Sequence, residues 1–226
     1  MEFDKYIKML KAMLDGSVVS LEVFFLTLLF AIPLALPIAM GRMSRSKLLS
    51  RSTNVFLLII RGTPLMLQLL VVYFGPGIFV RWLNNMGYEV AFAWNRFTAA
   101  IIALSINYSA YFAEIYRGGI ESIPKGQYEA AKVLGFTPVQ TFFKIVLPQV
   151  IKRIVPAMGN EVITLVKDTA LVSVIGVAEL LMVAKERQSA LFSFTPLFIA
   201  GVFYFVMNWG VSFCFNKIEK KLSYYS

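Results

Sequence analysis

Five stretches of this chain are apolar over the length that a hydrocarbon layer demands. A helix crossing a bilayer needs roughly 20 mostly apolar residues. Residues 18–40, 62–80, 97–116, 155–183 and 196–215 each approach that length. The first carries Glu22, Thr27, Pro33 and Pro37, and prolines inside a span are tolerated because neighbouring helices re-satisfy the freed carbonyls. In the second, Thr63 and Pro64 read as a helix start, so 54–61 reads as a separate interfacial segment with Arg61 near an aqueous edge. The run 18–40 is too long for a signal peptide and has no small-residue cleavage site, so it reads as a retained span. Composition agrees. The chain is 58% apolar and 15% charged, with a mean hydropathy of +0.69, where soluble domains run at about 45–50% and 25%. The expected fold is all-α, with lipid as the solvent.

The charge pattern orients the spans. Net charge is +9, from 22 Lys and Arg against 13 Asp and Glu. The basic residues cluster in the short polar segments rather than on a basic helix or strand, which fits the positive-inside bias and excludes nucleic acid. With five spans the two ends lie on opposite sides. An outside N-terminus places 13 Lys and Arg on the inner segments and 7 on the outer ones. The expected topology is therefore N-terminus outside, C-terminus cytoplasmic. Trp82, Tyr88 and Trp94 then fall in an outer connection, at the interface where amphipathic rings settle.

Some chemistry is absent. The chain has no histidine, which removes HExxH zinc sites, Ser-His-Asp triads and histidine relays. Its one cysteine, Cys214, sits in an apolar run and reads as packing. No catalytic residue and no metal site is expected. No GxxxxGK[ST] phosphate loop occurs, so the chain by itself should not hydrolyse ATP.

The inner segment 117–151 reads RGGIESIPKGQYEAAKVLGFTPVQTFFKIVLPQVI. Ser122 is placed to cap a helix over 124–134 that Gly135 ends, and Thr137 with Pro138 opens a second helix that runs to about Leu147, before Pro148. Such a corner offers Tyr128, Glu129, Ala131, Lys132, Val133 and Leu134 to the cytosol. Glu129-Ala130-Ala131 is followed after three residues by Gly135, after nine more by Ile145, and after one more by Leu147-Pro148. This spacing resembles the EAA signature of ABC importer permeases. The runs Arg61-Gly62-Thr63-Pro64-Leu65, Arg117-Gly118-Gly119-Ile120, Gly159-Asn160-Glu161 and Lys167-Asp168-Thr169-Ala170-Leu171 are similar to its polar and basic amino-acid branch, and the likeness spans about 15–218.

The resemblance implies a coupling loop over about 117–148, between spans three and four. Its short helix, with Tyr128, Glu129, Ala130, Ala131 and Gly135, would dock on a cytoplasmic ATPase. It implies two such ATPases, which bind ATP and Mg; this chain binds no cofactor. It implies a second permease subunit, identical or closely related, and an external substrate-binding protein. It implies a multi-pass place in a bacterial plasma membrane.

Ionisable residues within a span are functional-site candidates by default. The fourth holds Glu161, Lys167 and Asp168. Positions 161, 164, 165 and 168 share one helical face, so Glu161, Thr164 and Asp168 line up, with Asp168 roughly 20 Å in from Val155. Two acids on a polar cavity would bind a cationic group of an amino acid, favouring arginine, lysine or histidine and leaving glutamine and other polar amino acids open. A neighbouring span or Lys167 could instead neutralise Asp168 structurally. Asn107 could bond substrate or another helix, and Gln68 likewise. Glu114 and Arg117, three residues apart, are expected to pair near the inner end. A stand-alone channel or ion-driven carrier is the competing class. It would need no EAA corner, and a carrier would show inverted repeats, of which none is evident.

Overall fold

The computed structural model describes residues 2–93 and 95–222. Every regular element among the described residues is helical. They are α1 (Glu2–Arg42), α2 (Lys47–Gly62), α3 (Leu65–Asn85), α4 (Arg96–Glu121), α5 (Lys125–Val133), α6 (Pro138–Thr141), α7 (Leu147–Asp168), α8 (Leu180–Leu191) and α9 (Thr195–Leu222).

Helix α4 is the centre. Asn95 starts it by accepting a hydrogen bond from the Phe97 amide at 2.9 Å. Its buried face is built from Ala99, Ala100, Ala103, Ala110 and Ala113 with Leu104, Tyr108 and Phe112. It meets Ala31, Ala35 and Ala39 on α1, spaced four apart on one face. Small residues let helix backbones approach closely, which matters because lipid offers no hydrophobic drive between helices. Helices α3, α7 and α1 surround α4, while α3 and α9 expose most of their apolar surface. At Gly119 the approach is closest: a Cβ there would lie 2.3 Å from Ile154 Cγ2 on α7. Ile154 is β-branched and stiff. Gly119→Leu is therefore expected to cost about 1–3 kcal/mol, read as a lower thermal midpoint of the purified protein in detergent; an unchanged midpoint would refute the tight crossing.

Four helices have the length and apolarity to cross a membrane: Asp4–Arg42, Leu65–Asn85, Arg96–Glu121 and Thr195–Leu222. These contain the expected spans 18–40, 97–116 and 196–215 and most of 62–80. The expected fourth span differs. Residues 155–183 do not form one helix: α7 ends at Asp168, a tight 3-10 turn follows over Thr169–Ile175, and Gly176 adopts φ +80° before α8 begins. Only a left-handed residue can end that turn so abruptly, and glycine takes it without cost. Lys152, Arg153, Glu161, Lys167 and Asp168 also keep α7 from the apolarity of a plain span.

The break between α2 and α3 falls where Thr63 and Pro64 predict it, because a residue before proline is driven to extended backbone; Thr63 has φ −115° and ψ 147°. Its capping differs from expectation. The Thr63 hydroxyl donates back to Ile59 O at 2.8 Å, and Pro64 itself occupies the N-cap position. Gln68 sews the elbow instead, donating to Ile60 O at 2.7 Å and Thr63 Oγ1 at 2.9 Å. Helix α2 begins at Lys47, earlier than the interfacial segment expected over 54–61. Trp82 is exposed near the end of α3 and Tyr88 in the connection that follows it; Trp94 lies outside the described residues.

In the corner, α5 ends in a Schellman closure. Phe136 N donates to Ala131 O at 3.0 Å and Gly135 N to Lys132 O at 3.1 Å, with Gly135 at φ +77°. Thr137 and Gln140 form a reciprocal capping box at α6. Two expectations are corrected. Ser122 does not cap α5; its hydroxyl donates to Gly119 O at 2.7 Å and finishes α4. The second short helix does not stop before Pro148. A wide π turn over Phe142–Val146 carries it into α7. That turn shifts the hydrogen-bond ladder one residue just ahead of Pro148, which absorbs the missing proline N–H.

Candidate functional site

Helix α7 turns Val162, Leu165 and Val166 into the core and leaves Glu161, Thr164 and Asp168 partly exposed on another face. The structure thus brings the three predicted residues together on one surface. Asp168 is the last residue of α7 and accepts a 2.8 Å hydrogen bond from the Tyr108 hydroxyl of α4. Tyr108 itself is fully buried. The acid is therefore held by a neutral donor, and no ion pair joins it to Lys167 among the described residues. Glu161 lies seven residues back along α7, nearly two turns, and is partly exposed. Thr164 spends its hydroxyl on its own helix, donating to Asn160 O at 3.0 Å. Asn107 is buried and donates to Gln68 Oε1 at 3.0 Å. It bonds another helix, and its neighbour Tyr108 is the α4 residue that meets Asp168. The surface thus carries two carboxyl groups, one of them hydrogen-bonded by a phenol.

Seven residues along α4 from Asn107, Glu114 gathers charge from three helices. Arg117 lies at 2.8 Å, Arg61 of α2 at 3.6 Å and Arg42 of α1 at 3.9 Å. Arg117 also reaches Glu121 at 2.5 Å. Arg61 lies over the Tyr111 ring, 5.4 Å from its centroid. The expected Glu114–Arg117 pair is present, as part of this larger cluster.

Below it the corner projects. Tyr128 is 37% exposed, Val133 87% and Leu134 73%, and Val139 and Phe143 extend the apolar patch. Glu129, Ala130 and Lys132 are exposed as expected. Ala131 is not: it is the buried residue of α5, on the face packed against α6 and the wide turn. An alanine suits that contact because nothing larger fits between closely packed helices. The corner is fastened to α7 by Gln149, which donates to Gln127 Oε1 at 3.2 Å, and by Arg153, which donates to the Ser122 carbonyl and hydroxyl.

The chain as a whole matches a known family. Residues 31–224 match the binding-protein-dependent transport system inner membrane component. The chain belongs to this family. The permease is 34% identical to the arginine transport system permease protein ArtQ of Bacillus subtilis (strain 168), over 98% of this chain and 97% of that one. It is 37% identical to the nopaline transport system permease protein NocM of Agrobacterium fabrum, over 85% of this chain and 80% of that one. Its fold matches a crystal structure of an amino acid ABC transporter with histidines, at 36% identity and a TM-score of 0.84, covering 98% of this chain and 99% of that one. The permease is thus a multi-pass membrane component of the ABC importer type.

Sequence reasoning missed one residue of this permease that the structure makes conspicuous. Glu179 is fully buried. It caps α8 by accepting from Leu181 N and Met182 N, each at 2.8 Å. It also accepts from the Tyr204 hydroxyl of α9 at 2.6 Å and the Ser20 hydroxyl of α1 at 3.4 Å. The local signal was an acid directly before Leu180-Leu181 and three residues past Gly176, the place of an N-cap. The two distant partners left no trace in the sequence around it.

Proposed function

We propose that this permease moves a polar or basic amino acid into the cell, arginine, lysine or histidine before others, as the membrane subunit of an ATP-driven importer. The observation that carries the substrate class is the pair of partly exposed acids, Glu161 and Asp168, on one face of α7, with Asp168 held by Tyr108. An amino or guanidinium group entering that face meets negative charge at two levels about 10 Å apart along the helix, at 1.5 Å per residue. Of the relatives, the arginine transport system permease protein supports this reading, and the putative glutamine transport system permease proteins keep glutamine as the alternative.

In this reading the chain crosses the membrane five times. Helices α1, α3, α4 and α9 span it, and α7 supplies the fifth crossing with the turn that follows it. The N-terminus faces outward and the C-terminus the cytoplasm of a bacterial cell. Two permease subunits, identical or closely related, enclose the pathway, and their exposed α3 and α9 surfaces meet lipid or each other. Two ATPases, with their ATP and Mg, engage Tyr128, Glu129, Val133 and Leu134 of the corner. An external binding protein delivers the amino acid, and ATP-driven closure of the ATPases reorients the helices around Glu161 and Asp168.

The test is uptake. The permease and its ATPase are placed in liposomes with ATP inside and the binding protein outside, and labelled arginine and glutamine are compared in wild type and Asp168→Asn. The amide still accepts from Tyr108, so the fold is kept while the charge is lost. Arginine uptake is expected to fall about tenfold or more, since a charge-assisted hydrogen bond contributes about 1.5–3 kcal/mol and 1.4 kcal/mol is tenfold. Glutamine uptake untouched by the variant would leave the importer and discard the acids as selector. Uptake that ignores ATP would favour a carrier or channel.

A further inference from the structure

We propose that Glu114 is a positioning residue that ties the ATPase-docking corner to the elbow between α2 and α3, so that movement of α5 reaches the substrate face through it. The proposal rests on the importer reading above. Helix α4 runs into α5 across only Ser122, Ile123 and Pro124. Working back along α4 from that junction, Glu121 holds Arg117 at 2.5 Å, Arg117 holds Glu114 at 2.8 Å, and Glu114 holds Arg61 at 3.6 Å. Arg61 is in the last turn of α2, two residues before the Thr63–Pro64 break.

The elbow is gripped from both sides. Arg61, below the break, is held by Glu114. Gln68, in the first helical turns above it, is held by Asn107 at 3.0 Å. The two gripping residues lie seven apart on α4, nearly two full turns, and so project from the same face. Because α4 holds both arms of the elbow, α2 and α3 cannot change their angle without α4, and α4 cannot shift without moving the elbow. Arg61 also lies over Tyr111 of α4, a second contact of α2 with that helix.

Charge makes Glu114 the pivot of this arrangement. One carboxylate faces three guanidiniums from three different helices. Without it, Arg42, Arg61 and Arg117 repel one another and the ends of α1, α2 and α4 lose their common anchor. A contiguous network of this kind carries coupling only if its disruption changes coupling rather than folding alone.

The experiment uses the assembled transporter of permease, ATPase and binding protein in liposomes. It reads three quantities: ATPase retained per permease, ATP hydrolysis with and without arginine-loaded binding protein, and arginine taken up per ATP. Glu114→Gln is expected to assemble and keep its basal hydrolysis. Its stimulation by loaded binding protein and its uptake per ATP are expected to fall at least about fivefold, the low end of coupling between sites. Glu114→Asp should recover most of both. Wild-type stimulation and uptake per ATP in Glu114→Gln overturn the proposal. If that variant fails to assemble, Arg61→Gln decides, because that side chain is 42% exposed. The same loss of coupling in it supports the proposal; full coupling, or a second failure to assemble, overturns it. A wild type without ATP-dependent uptake overturns the importer reading itself, a separate result from a coupled wild type beside a coupled variant.

Discussion

Glu129→Arg combined with Gly135→Trp is expected to strip the ATPase from the permease on co-purification. Both substitutions act on the projecting corner and spare its supports. Glu129 is exposed, and a Cβ on Gly135 meets nothing within 4 Å, so neither change disturbs the packing of α5 on α6. A reversed charge meets the partner surface at one position. At the other, a large ring stands beside Val133 and Leu134, the most exposed apolar residues of the corner. Tryptophan at φ +77° also strains the Schellman closure by about 1–2 kcal/mol, which loosens the presentation of α5. Interface hot spots cost about 2 kcal/mol or more each. Together the two changes should weaken ATPase binding more than about a hundredfold, while the thermal midpoint of the permease stays within a few degrees. An ATPase that still co-purifies would remove the corner as the docking element.

Glu179→Leu is expected to give the largest loss of stability. Leucine leaves Leu181 N, Met182 N and the hydroxyls of Tyr204 and Ser20 facing an apolar side chain. Each orphaned buried donor costs about 1–3 kcal/mol, so the two backbone groups alone set a loss of about 4 kcal/mol. For a chain of this length that lowers the midpoint by roughly 8–16 °C. Glu179→Gln keeps one accepting oxygen and should cost about half as much. A midpoint for Glu179→Leu within 2 °C of wild type, at the roughly 2–4 °C expected per kcal/mol, would show that the carboxylate is not the hub the geometry describes.

What could be read from the sequence was local. The Thr63–Pro64 break, the left-handed Gly135, the Thr137 cap and the Glu114–Arg117 pair each depend on residues within four positions of one another, and each is present. The shared face of Glu161, Thr164 and Asp168 follows from helical period alone. What failed was tertiary. Ala131 is buried because α5 folds back on α6, a direction that no periodicity in a nine-residue helix can specify. Tyr108 meets Asp168 across 60 residues, and Ser20 meets Glu179 across 159. Arg42 and Arg61 converge on Glu114 from two other helices. The continuity of 155–183 as one helix failed for another reason. Averaged apolarity cannot register one glycine at φ +80° that turns the chain aside.

The wide turn at Phe142–Val146 has a mechanical result. Because it joins α6 to α7 without a break, Pro138 and Asp168 stand at opposite ends of one continuous helical run, about 45 Å along its path at 1.5 Å per residue. A run of that length enlarges any tilt of its base at the corner. A tilt of about 5° at its base sweeps the Asp168 end through about 4 Å, more than the length of a hydrogen bond. An angular change of that size is thus large enough to break the contact between Asp168 and Tyr108. A two-helix arrangement with a stop at Pro148 would have dissipated the same tilt at its joint.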